Sequence, residues 1–263
     1  MSQPLRLGGM ALRNGLLIHG PTHWAAAIRT AEGRIEVGSG PKPVFAPGAA
    51  GRVPGLRGPL KLVEAFAVLP LVRRSLPNAR LPFEHVKVLA AMGVATVAGS
   101  MLRRGATRTS ATREAAAAAI GLLPAMVALR DGELAAYHGV EHKAIGAYEQ
   151  GLADASEASK EHERCGSNLV APMLGFSIAG QVILERLLER PGPAARGAVA
   201  VASVSAAVEL FAWGERHGDS AAGKAFHRPG HELQRVLATR EPSQDQLEVG
   251  SAALAEIIRV EAA

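Results

Sequence analysis

Four long apolar runs, arranged as two pairs, constrain this chain more than any other feature. The first pair is Val88–Leu102 and Ala115–Leu129, joined by the basic stretch Arg103–Arg113. The second is Asn168–Leu184 and Ala194–Trp213, separated by Pro191-Gly-Pro193. They read as helices, and Gly and Ala recur through all four, as in helices that pack backbone to backbone. Apolar residues make up 48% of the 263 but aromatics only 4%, which favours small-residue helices over an aromatic-rich β-sandwich. The first pair is uncharged, yet each run has only fifteen residues, short of the roughly twenty that cross about 30 Å of hydrocarbon. Arg or Lys at their ends can snorkel and extend them. The second pair carries Gln181, Arg196 and Glu209. Membrane hairpins are expected, with the buried helices of a soluble bundle as the alternative. If the first hairpin crosses, its basic tip lies opposite an equally basic N-terminal flank, so Lys and Arg placement does not set topology.

Residues 8–37 read differently. The runs Gly15–His19, Trp24–Thr30 and Ile35–Val37 have a period close to two, and Glu32-Gly33 sits where a hairpin turn belongs. A β-hairpin or small sheet is expected there. Gly- and Pro-rich residues 38–59 read as a loop or linker, and Leu60–Val72 as an amphipathic helix whose closing Arg73-Arg74 suits the negative end of its dipole. Gln244–Val260 reads as a surface helix. The expected fold class is mainly α with a small N-terminal β region (α+β), with four apolar helices in two pairs. Residues 1–59 form the β-leaning region and linker, and 60–263 a helical region carrying the chemical motifs, within one integrated domain.

The net charge of +5 is unevenly placed. Between Arg52 and Arg113 eleven Lys/Arg face only Glu64 and Glu84, a local balance of +9; between Arg130 and Cys165 the balance is −4. The basic block is interleaved with Ala- and Val-rich runs and lacks stacking aromatics, which argues against nucleic acid and for an anionic membrane surface. A single cysteine excludes an internal disulfide and fits a reducing compartment. The first twenty residues lack the ordered regions of a signal peptide, so no N-terminal targeting segment is expected.

Chemistry concentrates in the acidic stretch. Three of nine histidines and the only cysteine fall within twenty-eight residues, as His138-Gly-Val-Glu141-His142 and His162-Glu-Arg-Cys165. On a helix, His138 and His142 lie one turn apart on one face, with Glu141 leaning toward it. The order H-x-x-E-H is the inverted zincin arrangement, in which the histidines ligate and the glutamate can act as general base. The bland alternative is a polar helix face and a buried free thiol.

With these motifs in hand, the chain resembles the DUF1385 family, the YqhQ-like proteins, whose usual strings are similar to YHGAEHK and HPRCGTS. Here they read Tyr137–Lys143 and His162–Ser167, with Val140, Glu163 and Ser167 as the departures, none of which removes a ligand. Gly8–Gly15, Leu56–Gly58, Tyr148-Glu149 and Leu233–Pro242 also resemble the family in order, so the likeness covers about residues 8–258. In the Gly-rich opening, Met10 stands in place of a glutamine and Asn14 of a glutamate. The resemblance implies a metal-dependent enzyme of the bacterial membrane.

The expected metal ligands are His138, His142, His162 and Cys165, with Glu209 added because an ionised carboxylate in an apolar helix needs a partner or an ion. It also matches the glutamate of a tyrosine-glutamate pair in the corresponding helix of the family. Glu141 is the expected general base, or else an acceptor that orients a ligating imidazole. Glu149 is a weaker candidate. His227, His231 and Glu232 read as a loop and helix cap, and His19 and His23 as structural or exposed. The function expected is a membrane-associated, metal-dependent hydrolase, with zinc as cofactor and membrane lipid as partner, at the cytoplasmic membrane or else in the cytoplasm. A non-catalytic membrane or assembly factor with a structural zinc site is the alternative, and a metal-free helical scaffold the third reading.

Overall fold

Alternation of apolar side chains builds the N-terminal sheet. In the computed structural model, which describes residues 4–45, 55, 57–103, 111–189 and 191–263, strands β1 (Gly8–Leu12), β2 (Gly15–His19), β3 (His23–Arg29) and β4 (Ile35–Pro41) form an antiparallel meander in chain order. Leu16, Ile18, Ala25 and Ala27 face one way, and Leu12, Leu17, Trp24, Ala26 and Ile28 the other, as a period of two requires. Both faces are covered, which is why the runs contain so few polar residues. The turn expected at Glu32-Gly33 is present: Thr30 N–H donates to Arg34 O, and Gly33 has φ +83, a conformation suited to a residue without Cβ. The sheet is larger than the runs announced, with β1 added and β4 extended to Pro41.

The helices follow as α1 (Arg57–Ala67), α2 (Leu69–Ser75), α3 (Val86–Arg103), α4 (Ala111–Gly121), α5 (Leu123–Leu129), α6 (Gly132–Gln150), α7 (Val170–Leu187), α8 (Pro193–Arg216), α9 (Ala221–Leu233) and α10 (Gln244–Glu261). A 3-10 turn, Gly166–Leu169, leads into α7, and a π-helical turn, Gln234–Ala238, follows α9. Two expected helices are each broken in two. Leu60–Val72 divides at Val68 and Ala115–Leu129 at Leu122, because Pro70 and Pro124 lack an N–H and are accommodated in a first helical turn. The linker expected over 38–59 and the basic connection 103–113 fall partly on residues 46–54, 56 and 104–110, which lie outside the described ones.

Helices α6 and α10 cover one face of the sheet, with Tyr137, Val140, Val249, Ala253 and Ile257 buried against it. The surface helix expected over Gln244–Val260 is therefore half a core element. Gly250 lets it approach α6: a Cβ there would come within 2.4 Å of Val140. The opposite face is covered by Val68, Leu69, Val72, Leu76, Ala79 and Leu81. Helix α6 starts at Asp131, whose side chain accepts from Glu133 N–H, and stops at Gly151, with φ +67.

Among the described residues, four segments are long and apolar enough to cross a membrane: Val86–Arg103, Ala111–Leu129, Gly166–Leu187 and Pro193–Arg216. The shortest has 18 residues, about 27 Å at 1.5 Å per residue. No more than 17% of any of them is buried, so apolar helices that water would penalise face outward. Two of the charges near their ends are held in ion pairs with buried carboxylates. Arg103 meets the buried Glu114 at 2.9 Å, and Arg196 meets Glu185 at 2.8 Å and Gln181 at 3.2 Å. The sheet precedes the first segment, α6 lies between the second and third, and α10 follows the fourth. These three pack on one another, so each apolar pair leaves this polar body and returns to it.

Candidate metal centre

One helical turn on α6 brings the His138 and His142 rings to a centroid separation of 4.4 Å. Each ring has its Nδ1 on a backbone carbonyl, His138 on Ala238 O at 2.8 Å and His142 on Lys160 O at 2.6 Å. A carbonyl only accepts, so each Nδ1 carries the proton and each Nε2 presents a lone pair. Cys165 Sγ lies 3.4 Å from His138 Nε2. Ligand atoms of His138, His142 and Cys165 all fall within 4.8 Å of one another. Tetrahedral ligands bound at 2.0–2.3 Å sit about 3.5 Å apart, so a small movement closes the set. His142 Nε2 is buried with no hydrogen-bond partner, an orphaned acceptor that a transition-metal ion satisfies. The residues present fit such an ion.

Burial sets the protonation of the group. It pushes His142 down to about 2, helped by the neighbouring His138, so this ring is neutral. It raises the Cys165 thiol, against the lowering effect of the Ser167 hydroxyl and N–H. A thiol held protonated by desolvation ionises once a cation lies beside it. Glu141 is pushed up to about 7 by burial, with His138 opposing the rise and Cys165 adding to it. Its carboxylate lies against β1, where a Cβ on Gly9 would come within 2.6 Å of its side chain. Gly9 thus makes the room that Glu141 occupies.

The outer supports come from segments to which spacing assigned no role. The π-helical turn carries Ala238, whose carbonyl holds His138; such turns recur at functional sites. Gln234, fully buried, accepts from His162 N–H at 2.7 Å and donates to His162 O and Ser167 Oγ. It thereby ties the His162–Ser167 turn to the end of α9. Both residues fall in Leu233–Pro242, one of the stretches that resembles the family, which was the only signal for them. Gly139 allows close passage of this segment, since a Cβ there would lie 2.2 Å from Arg240 O.

The other expected site residues are placed as follows. His162 is 5.7 Å from His142 by ring centroids, outside the close set, with Nε2 3.3 Å from Glu149. Glu149 also pairs with Arg164, so it anchors this turn. Glu209 accepts from Gly55 N–H at 3.3 Å on α8 and is not part of the close set. The loop expected at His227–Glu232 is instead the second half of α9. Pro229-Gly230 ordinarily ends a helix, but Gly230 packs tightly on Asn168, where a Cβ would come within 1.9 Å of Oδ1. Asn14 holds Arg29 O, Asn78 O and Arg80 N–H, pinning the β1–β2 turn to the chain beyond α2.

His138, Glu141, His142, His162 and Cys165 share the wall of one cleft of about 940 Å³, closed on the other side by β1, the end of β2, the residues just after β4, and α1. That is within the range of small-molecule sites.

The family described as "Protein of unknown function (DUF1385)" matches residues 125–260, which hold every residue of this centre except the β1 wall. The chain is also similar to "Uncharacterized protein YqhQ" of Bacillus subtilis (strain 168), at 29% identity over 136 residues. That alignment covers 48% of this chain and 41% of the relative, so less than half of either is compared. No solved structure matches. With the match extending over half the chain and carrying the histidine, glutamate and cysteine motifs, the chain belongs to the DUF1385 family.

Proposed function

We propose that this protein is a metal-dependent, zinc-type hydrolase of the cytoplasmic membrane. The observation that carries the reading is the convergence of His138, His142 and Cys165 beside the buried carboxylate of Glu141 in the wall of one cleft. Three protein ligands leave a position open, which suits catalysis better than a closed structural site. When bound, the ion supplies Lewis acidity, which makes water a usable nucleophile near neutral pH. The chain's own residues do the rest. Ala238 O and Lys160 O fix the two imidazoles, and Glu141, buried beside them, takes the proton from the attacking water and returns it to the leaving group.

The four outward-facing apolar segments support the membrane placement. Because the sheet, α6 and α10 form one body, both hairpins cross and return, with that body on one side of the bilayer. Fractionated cells are expected to retain the protein in the membrane pellet through a high-salt wash, since ionic strength does not screen helix insertion. Release by salt alone contradicts the spanning arrangement.

The catalytic reading is tested with Glu141→Gln, which keeps the shape and removes the charge. The variant is expected to hold the ion within about ten-fold of wild-type affinity and to fail to complement a deletion strain. Retention of the ion together with full complementation overturns the general-base role and puts a structural zinc site ahead. Loss of the ion makes Glu141 part of the metal's own support, where such residues contribute about 10–100-fold.

A further inference from the structure

The cleft extends well beyond the three ligands. Its far wall, made by the end of β2, the residues just after β4 and α1, carries His19, Lys42, Lys61 and Glu64, whose carboxylate accepts from Phe45 N–H at 3.0 Å. Neither lysine has a carboxylate partner among the described residues; Lys42 Nζ donates only to Gly20 O, at 3.1 Å. Both ring nitrogens of His19 are buried without a hydrogen-bond partner, and unpaired buried polar atoms are uncommon in folded proteins. Burial holds this ring neutral, pushing it down to about 4, with Lys42 acting in the same direction. A neutral imidazole keeps one N–H to donate.

A second property of the same cleft is apolar. Val44, Pro82 and Leu129 line it, and Leu129 is the last residue of the second candidate span. Phe45, Val63, Phe66 and Phe83 flank it in sequence and are 40–58% exposed. Two lysines and an unsatisfied imidazole suit a dianionic phosphate-type group, yet about 940 Å³ is far more than such a group fills. In the membrane placement proposed above, Leu129 brings part of that volume next to the bilayer.

From this juxtaposition we infer that the cleft takes an anionic amphiphile. Its phosphate-type headgroup is held by Lys42, Lys61 and His19, and its acyl chain leaves past Val44, Pro82 and Leu129 into the bilayer. The inference rests on the membrane placement proposed above and names the substrate class of the same site; binding itself needs no turnover.

The test uses the full chain purified in mild detergent, with lipid binding read by native mass spectrometry. Phosphatidic acid is expected to bind in preference to phosphatidylcholine, and inorganic phosphate at the same concentration to leave it bound. Lys42→Ala with Lys61→Ala is expected to weaken phosphatidic acid about twenty-five-fold, at roughly five-fold per cation near an anionic headgroup. Equal binding of the two lipids, or an unchanged double variant, overturns the inference. Displacement by inorganic phosphate overturns the amphiphile and makes the ligand a free oxyanion. The pair His142→Ala, Cys165→Ser separates this inference from the hydrolase reading. Phosphatidic acid is expected to bind it as it binds wild type, whether or not the protein is a hydrolase, whereas loss of binding by a variant that keeps the wild-type circular-dichroism spectrum moves the anion site to the metal centre and overturns the role of the lysines.

Discussion

Protein purified without added metal is expected to carry about one transition-metal ion per chain, and His142→Ala combined with Cys165→Ser to carry none. The double substitution removes two of the three atoms that converge within 4.8 Å and leaves His138 as a single monodentate ligand. Because a site of this kind is assembled only in the folded chain, binding energy is also folding energy. The wild type is therefore expected to lose thermal stability on chelation, and the double variant to be insensitive to chelator. His162→Ala and Glu209→Ala provide the contrast. His162 is turned toward Glu149 and Glu209 toward Gly55, so both variants are expected to retain the ion. Elemental analysis decides the matter: equal metal in wild type and double variant, or none in either, removes the centre.

Gly139→Ala is expected to destabilise the protein and lower its metal affinity about 10–100-fold, although it touches no ligand. The added Cβ would lie 2.2 Å from Arg240 O. That oxygen is backbone, so no rotamer change relieves the contact, and overpacking of this sort costs about 1–3 kcal/mol. The segment must shift, and it carries Ala238, whose carbonyl fixes the tautomer and direction of His138. Gly146→Ala on the same helix is the control. Its Cβ would meet Gln150 and Ala158 at 3.5 and 3.6 Å, ordinary contact, and replacing a mid-helix glycine gains about 0.5–1 kcal/mol. Thermal unfolding with and without chelator, together with competition against a metal-binding dye, reads both effects. A Gly139→Ala protein with wild-type affinity would show that Ala238 does not position His138.

Much of this was legible along the chain because it is local. Two pairs of apolar helices follow from composition and length, the small sheet from a period of two, and the convergence of His138 and His142 from one helical turn. The breaks at Pro70 and Pro124 were also local, but each follows an apolar run that hides a change of direction. The half-buried face of α10 was not readable, since its pattern fits a surface helix until the sheet is known to lie beneath it.

Between the two residues of His162-Glu-Arg-Cys165, spacing could not choose, because both are good ligands equally near the motif. Folding separates them. Cys165 N–H closes a turn on His162 O, which leaves the thiol 3.4 Å from His138 and turns the His162 ring toward Glu149. The same holds for Glu209, whose apolar surroundings demanded a partner without naming it. Helical periodicity is a property of neighbours and is written in residue order. Cys165, the carbonyls that orient His138 and His142, and the lysines across the cleft come from segments 18 to 100 residues apart, and only the packing of α6 against the sheet, the His162–Ser167 turn and the π-helical turn brings them to one place.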